Sequence, residues 1–337
     1  MTCDTEWFGG ELNLRIAIRA DGGKSIGMGH IMRTLVLAKE LSFKNEIFYI
    51  CTYNTENQTG IEEIQRNGFK VYVIKENILD VLSNINVDML ITDSYDVDEK
   101  YFIDTAKMVK YTAYIDDVNS FNYPVDLVIN QNINAEDFNY NQKYKLLGLK
   151  YLMLRHEFRN LPQKYISKQV KNIMITMGGS DPVEFTRLII EWIKDLNFNF
   201  HVIIGPSFKE PDYFKNICSD NIKFYFSPKM TDVMAKCDLA VSASGSSIYE
   251  LLASGVPCLS TIIAENQFNI SRKLEEMNIA ENLGWYYNLN KCDFKNSIAT
   301  LCNNYELRKQ RSIDGQKFVD GLGAGRIAHF LENTFKV

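Results

Sequence analysis

LRIAIRADGGKSIGMGHIMRTLVLAKELSF, residues 14–43, contains the repeating unit of the whole chain. The segment LRIAIRA (14–20) reads as a strand that ends near Ala20. A loop with four glycines follows, at Gly22, Gly23, Gly27 and Gly29. A helix then opens at His30, and HIMRTLVLAKELSF (30–43) puts Ile31, Leu35, Ala38 and Leu41 on one stripe. The same alternation continues outward. EIFYIC (46–51), KVYVI (70–74), DMLITDS (88–94), TAYIDD (112–117) and DLVIN (126–130) read as strands. IEEIQRNGF (61–69) reads as a helix whose Asn-Gly pair supplies the stop. Strand-helix alternation of this kind predicts a mostly parallel sheet covered by helices on both faces.

HEFRNLPQKYISKQV (156–170) breaks the rhythm, being polar and carrying Pro162. A domain boundary placed there divides the chain into 1–156 and 157–337. The alternation then restarts with KNIMITMGG (171–179), FHVIIGP (200–206), IKFYFSP (222–228), LAVSAS (239–244) and PCLSTII (257–263) as strands. PVEFTRLIIEWIKDL (182–196) and SIYELLASG (247–255) are helices between them. The fold class is therefore α/β, with two doubly wound, Rossmann-type domains facing across a cleft. The last helix, around AGRIAHFLENTF (324–335), fits against either domain. Open α/β sheets bind ligands at the carboxyl ends of their strands, so the strand-to-helix turns are where chemistry is expected.

Composition narrows the function. The chain has 337 residues, 46% of them hydrophobic, which is enough for two cores. A net charge of −5 argues against a nucleic-acid or anionic-membrane partner. The seven cysteines are scattered without a CxxC or Cys/His ligand spacing, the pattern of reduced thiols in a cytoplasmic protein. The opening residues MTCDTEWFGGELNL are acidic and do not read as a signal peptide. No stretch approaches the roughly 20 apolar residues needed to cross a bilayer. The few apolar stripes left over point to a monomer.

Two constellations carry chemistry. In RADGGKSIGMGHIMRT (19–34) a glycine loop feeds a helix N-terminus, a place where free N–H groups and the helix dipole favour phosphate or an oxyanion. The spacing GMGHIM has Met32 where a dinucleotide fingerprint needs its third glycine, so NAD is poorly supported. His30 has two readings: a neutral imidazole that takes a proton from water, or a residue that merely caps the helix. Arg19, Lys24 and Arg33 are candidates for phosphate or sugar contact, or for structural ion pairs. In LAVSASGSSIYELLASGVPCLSTII (239–263), Ser244, Gly245, Ser246 and Ser247 stand at a second helix start. Glu250 either closes a capping box with Ser247 or accepts from ribose hydroxyls. Gly178, Gly179, Ser180, Gly205, Asn266 and Gln267 lie on turns of the same edge. Asp93, Asp96, Asp98, Asp116 and Asp117 suggest either a metal site or a set of loop caps, hydrogen-bond acceptors for sugar hydroxyls and partners for Arg19 and Arg33. The second choice leaves no convincing metal-ligand set.

Taken together, RADGGKSIGMGHIMR, DSYDVD, YIDD with VINQN, LGLKYLMLRHEF, ITMGGSDP, SASGSSIYELLASGVP, ENQ and DGLGAGRI form an ordered series across the chain. The series resembles the UDP-sugar hydrolase family of pseudaminic acid biosynthesis and the spore-coat polysaccharide proteins related to it. That group has the GT-B fold and is similar to the MurG glycosyltransferases. The resemblance implies that water displaces UDP, with inversion, from a UDP-linked diacetamido-trideoxy sugar, without a cofactor. It places the catalytic histidine at His30 and an active-site tyrosine at Tyr95. Arg19, Asp21, Gly27, Gly29, Arg33 and Asp117 are candidate substrate contacts in the first domain, which is expected to carry the catalytic, sugar-facing side. In the second, nucleotide-binding domain the resemblance assigns the serine turn and Glu250 to the nucleoside diphosphate, and Asn266 and Gln267 to the sugar. A glycosyltransferase with the same donor site, or a non-catalytic nucleotide-sugar binding protein, would share most of these motifs.

Overall fold

The structure, a computed structural model, describes residues 14–23 and 26–336. The acidic opening segment, Cys3 and Lys24 lie outside the described residues. The first sheet holds seven strands: β1 (Arg15–Ala20), β2 (Glu46–Thr52), β3 (Lys70–Ile74), β4 (Met89–Asp93), β5 (Tyr111–Ile115), β6 (Leu127–Asn130) and β7 (Tyr144–Leu147). The second holds six: β8 (Asn172–Thr176), β9 (Asn199–Ile204), β10 (Ile222–Phe226), β11 (Leu239–Ala243), β12 (Cys258–Ile262) and β13 (Ala280–Trp285). All pairings between these strands are parallel, and the one isolated bridge among the described residues, Gly23 to Gly27 in the glycine loop, is antiparallel.

Burial follows position in the sheet. The central strands β4, β11 and β12 are buried at every residue, as strands covered on both faces must be. The edge strands β7 and β13 are largely half-buried or exposed. These are the two strands that the sequence pattern does not disclose, because YKLL and AENLGW lack an uninterrupted apolar run. The helix stops behave as read: Gly68 and Gly255 take φ of +86° and +66°, the left-handed region that glycine enters without penalty.

The strand orders are β3-β2-β1-β4-β5-β6-β7 and β10-β9-β8-β11-β12-β13. In each sheet the winding reverses once, between β1 and β4 and between β8 and β11. A doubly wound sheet opens a crevice at that reversal, at the carboxyl ends of the two strands. The glycine loop leaves β1 and the serine turn leaves β11, so both constellations sit at a reversal.

The terminal helix, Gly323–Thr334, returns to the first domain. Ala324, Ile327, Ala328 and Leu331 join the core formed by β1 and the helix Gly29–Leu41, and Phe335 packs on Tyr111 and Tyr144. Gly323 is required for this return, since a Cβ there would come within 2.3 Å of the Leu152 carbonyl oxygen. The chain therefore passes between the domains twice, once after β7 and once before this helix. The six cysteines among the described residues are free, with Cys51, Cys237 and Cys258 buried.

Candidate active site

The helix Gly29–Leu41 begins with no side chain capping it and no acidic residue in its first turn. His30 does not turn back to cap the helix, as one of its two readings had it. Its Nδ1 stands 2.5 Å from Asp93 Oδ1, at the carboxyl end of the adjacent strand β4. Asp93 is fully buried. Burial alone would raise its carboxyl, but the Arg33 guanidinium and His30 outweigh that effect and hold it at about 2. An ionised carboxylate only accepts hydrogen bonds, so Nδ1 carries the proton and donates it to Asp93. In the neutral form of the ring the lone pair is then on Nε2, which has no hydrogen-bond partner among the described residues. This is the geometry of an oriented general base.

Arg33, one helical turn further on, locks the pair. Its Nε donates to Asp93 Oδ2 at 2.7 Å and its Nη2 to Oδ1 at 2.5 Å, while Nη1 donates to both Asp117 oxygens at 2.9 Å. Burial disfavours the guanidinium charge, and the two carboxylates more than restore it, so the group stays cationic. Tyr95 Oη donates to Asp117 Oδ2 at 2.6 Å, and its ring stands edge-on to His30 with centroids 4.7 Å apart. Burial and the Asp117 carboxylate raise the phenol, so it remains protonated at neutral pH and acts as a donor. Asn266 of the second domain lies beside the Tyr95 hydroxyl. His30, Asp93, Arg33, Asp117, Tyr95 and Asn266 thus form one cluster, with Asn266 contributed from across the cleft.

Asp98 and Asp116 have local partners. Asp98 caps the helix Glu99–Thr105 by accepting from the Tyr101 amide. Asp116 accepts from Tyr123 Oη at 3.0 Å, from the Asn119 amide at 2.8 Å and from Tyr140 Oη. Among the described residues, no group of three His, Cys, Asp or Glu side chains is placed to hold a metal ion.

At the second reversal, the helix Ser246–Ala253 also starts without a side-chain cap. Its first N–H groups, like those of any helix, lack intrahelical partners. Ser246 and Ser247 stand on that first turn, with Gly245 before it. Gly178 and Gly179 follow β8, and a Cβ on either would meet nothing within 4 Å, so the space beside their α-carbons is open, although the Gly178 amide donates to Thr176 Oγ1 and the Gly179 carbonyl accepts from the Ser207 amide. Ser180 follows them and is half-buried. The first loop is similarly open at Gly27 and Gly29, where an added Cβ also meets nothing.

Several expectations need correction. Arg19 and Asp21 are buried and paired to each other at 2.6 Å, Arg19 also donates to Thr52 Oγ1, and Asp21 accepts from the Thr52 amide. They brace the glycine loop against β2, and Arg19 Nη1 has no partner among the described residues. Ser244 is fully buried, with its hydroxyl bonded to the Thr261 carbonyl. Gly205 has a packing reason, since a Cβ there would come within 2.4 Å of the Gly179 carbonyl oxygen. Gln267 spends its Oε1 on the Ile263 amide at 3.0 Å, which leaves only its amide nitrogen for the cleft. The capping box between Ser247 and Glu250 does not form. Instead Glu250 Oε1 accepts from Arg155 Nε at 3.1 Å and Nη2 at 2.7 Å, and Arg155 also pairs with Glu157 at 2.8 Å. Burial raises the Glu250 carboxyl and Arg155 opposes the rise. Both arginine bonds fall on Oε1, so Oε2 retains its acceptor capacity.

A cavity of about 730 Å³ lies at the far end of the Gly29–Leu41 helix, lined by Glu40, Arg159, Arg326 and His329 among others. Its charges are already matched, Glu40 to Arg159 and Asp320 to Arg326. No member of the His30 cluster lines it, so the site is assigned on chemistry and not on cavity size.

Two facing parallel-sheet domains, each with its crevice turned to a shared cleft, define the GT-B fold of nucleotide-sugar glycosyltransferases. Spinosyn rhamnosyltransferase SpnG complexed with thymidine diphosphate superposes with a TM-score of 0.70 over 95% of this chain and 100% of that one, at 12% identity. Residues 163–319 match the glycosyltransferase family 28 C-terminal domain. At the sequence level the chain is 34% identical over 265 residues to the uncharacterized protein MJ1062 of Methanocaldococcus jannaschii, covering 72% of this chain and 54% of that protein. It is 24% identical to the spore coat polysaccharide biosynthesis protein SpsG of Bacillus subtilis, over 96% and 99% of the two chains. It is 27% identical to the Helicobacter pylori pseudaminic acid cytidylyltransferase and UDP-2,4-diacetamido-2,4,6-trideoxy-beta-L-altropyranose hydrolase, over 96% of this chain and 56% of that protein. The chain thus spans about half the length of the first and third of these relatives and nearly all of the second.

Proposed function

We propose that the protein hydrolyses a UDP-linked diacetamido-trideoxy sugar at its anomeric C–O bond, with inversion. The observation that carries the reading is the Asp93–His30 pair, which leaves Nε2 as a free base on the crevice of the first domain. Water attacks the anomeric carbon from the face opposite the nucleotide. Its proton passes to His30 Nε2, and the Asp93 carboxylate compensates the positive charge that forms on the ring. The bonding electrons leave with the UDP oxygen. A nucleoside diphosphate is a good leaving group, so no carboxylic acid need protonate it, and the usual glycosidase pair of carboxylates is not required. The uncapped N-terminus at Ser246–Ser247 and the open backbone at Gly178–Gly179 receive the diphosphate. Tyr95 and Asn266 contact the sugar from the two sides of the cleft. The H. pylori relative bears the name of this reaction, and the pattern of motifs agrees with it.

The family 28 match favours a second reading, transfer of the same sugar to an acceptor. The deciding experiment offers the purified protein a panel of UDP-sugars without acceptor and follows UDP and free sugar. Stoichiometric release of both supports hydrolysis. Tight UDP binding with no release from any donor sinks it in favour of transfer or of a binding role.

Glu250 provides a separate check on the nucleotide side. If its free Oε2 accepts from the ribose hydroxyls, Glu250→Ala should weaken UDP binding by roughly 10–100-fold, the size of a hydrogen bond to a charged group. Thermal stability should change little, because Arg155 keeps Glu157. Titration calorimetry beside a melt separates the outcomes: unchanged affinity with a lower Tm would reduce Glu250 to a brace for the interdomain segment.

A further inference from the structure

Tyr249 lies on the serine helix of the second domain, one turn after Ser246, yet its hydroxyl is bonded in the first domain. It is buried. Its Oη accepts from the Ile133 amide at 3.2 Å and donates to Asn132 Oδ1 at 3.3 Å. Asn132 spends its Nδ2 on Asp117 Oδ1 at 2.8 Å. Asp117 takes both bonds from Arg33 Nη1, and Arg33 holds Asp93, the partner of His30. Each link is a direct hydrogen bond between named atoms. The path runs from the helix that would receive the diphosphate to the base that would activate water. The helix Ser246–Ala253 is packed on its inner face through Ile248, Leu251 and Leu252, so it moves as a unit and carries the phenol with it.

We propose that Tyr249 is a positioning residue that ties occupancy of the nucleotide site to the placement of the His30–Asp93 pair, through Asn132, Asp117 and Arg33. The inference rests on the hydrolase reading for its catalytic consequence and on the bond path alone for the coupling. A nucleotide seated on the serine helix fixes the position of Tyr249. Tyr249 then fixes the Asn132 amide, which orients the carboxylate shared by Arg33 and Tyr95. An enzyme built this way holds its base more firmly in line when UDP is in place, and misplacement of a reacting group by about 1 Å can cost on the order of 100-fold in rate.

The test is Tyr249→Phe, which keeps the ring and removes the hydroxyl, together with Asn132→Ala and the double variant. With a donor that turns over, kcat should fall by about 10–100-fold in Tyr249→Phe while UDP affinity stays within about 2-fold. The double variant should be no slower than Asn132→Ala, because both changes cut one path. Unchanged kcat in a folded Tyr249→Phe protein, or fully additive losses, overturns the proposal and leaves the hydrolase reading standing. A second readout is independent of turnover: the NMR signal of the His30 Nδ1 proton, followed as UDP is added. A UDP-induced shift in the wild type that is lost in Tyr249→Phe supports the coupling even if no donor is hydrolysed. An identical shift in both proteins, or none in the wild type, overturns it.

Discussion

His30→Ala is expected to lower UDP release by about 10²–10⁴-fold, the usual worth of a positioned general base, with UDP affinity unchanged. The two effects separate because the histidine belongs to the first domain, whereas the contacts proposed for the diphosphate, the serine helix and the Gly178–Gly179 turn, belong to the second. The fold should survive the change. Asp93 keeps both of its bonds to Arg33, so no buried carboxylate is left without a partner. His30→Asn sharpens the test, since its amide can still donate to Asp93 but offers no basic nitrogen. Steady-state release and equilibrium UDP binding, measured on both variants, decide the matter. Turnover within about tenfold of wild type would remove His30 from the role of base.

The second large effect is expected at Asp93. Asp93→Asn keeps the shape but removes the charge that fixes the imidazole tautomer, and it turns an N–H group toward either His30 or Arg33. The analogous change in serine-protease triads costs about 10⁴-fold in kcat, and a loss of about 10²–10⁴-fold is expected here. Stability should fall as well, by about 3 kcal/mol, because a buried guanidinium loses one of two carboxylates. Asp117 remains on Arg33 and limits the damage. In the wild type the same charge has a pH signature. The Asp93 carboxyl is depressed on folding to about 2. Its contribution is therefore present above the unfolded value of about 4 and is lost as pH falls through about 2. Denaturant unfolding across that acid window should show a stability decline in wild type that is reduced in Asp93→Asn. An equal decline in both would mean that Asp93 does not carry the acid sensitivity.

The parts legible in the sequence are those encoded locally. The glycine run before His30 and the serine run before Glu250 each mark a strand ending and a helix beginning, and both turns lie where the alternation puts them. Contacts between distant strands were harder to foresee. Asp93 was visible as an acid at the end of a strand, but its pairing with His30 requires β1 and β4 to be neighbours, which depends on the reversal in strand order. Arg19 and Asp21 stand next to the glycine loop in sequence, yet Thr52 on β2 draws them under it. Tyr249 reads as one apolar position on a helical stripe, and nothing local signals that its hydroxyl crosses to Asn132. Glu250 satisfies the spacing of a capping box, but Arg155, 95 residues earlier, competes for the carboxylate. The edge strands β7 and β13 escape notice because they need bury only part of their surface.

The return of the terminal helix bears on how the chain comes off the ribosome. Ile327, Leu331 and Phe335 complete the hydrophobic interior around β1, yet they are synthesised after every strand of the second domain. The amino-terminal half emerges first but must wait with part of its interior open, while the later half can close once the helices Lys291–Asn303 and Tyr305–Phe318, which follow β13 and complete its core, are out. The usual order of folding during synthesis, first domain first, is thus reversed for the final step. A chain ending near residue 320, tethered to the ribosome through a linker long enough to clear the exit tunnel, should hold a protease-resistant second domain beside a first domain that is still cleaved.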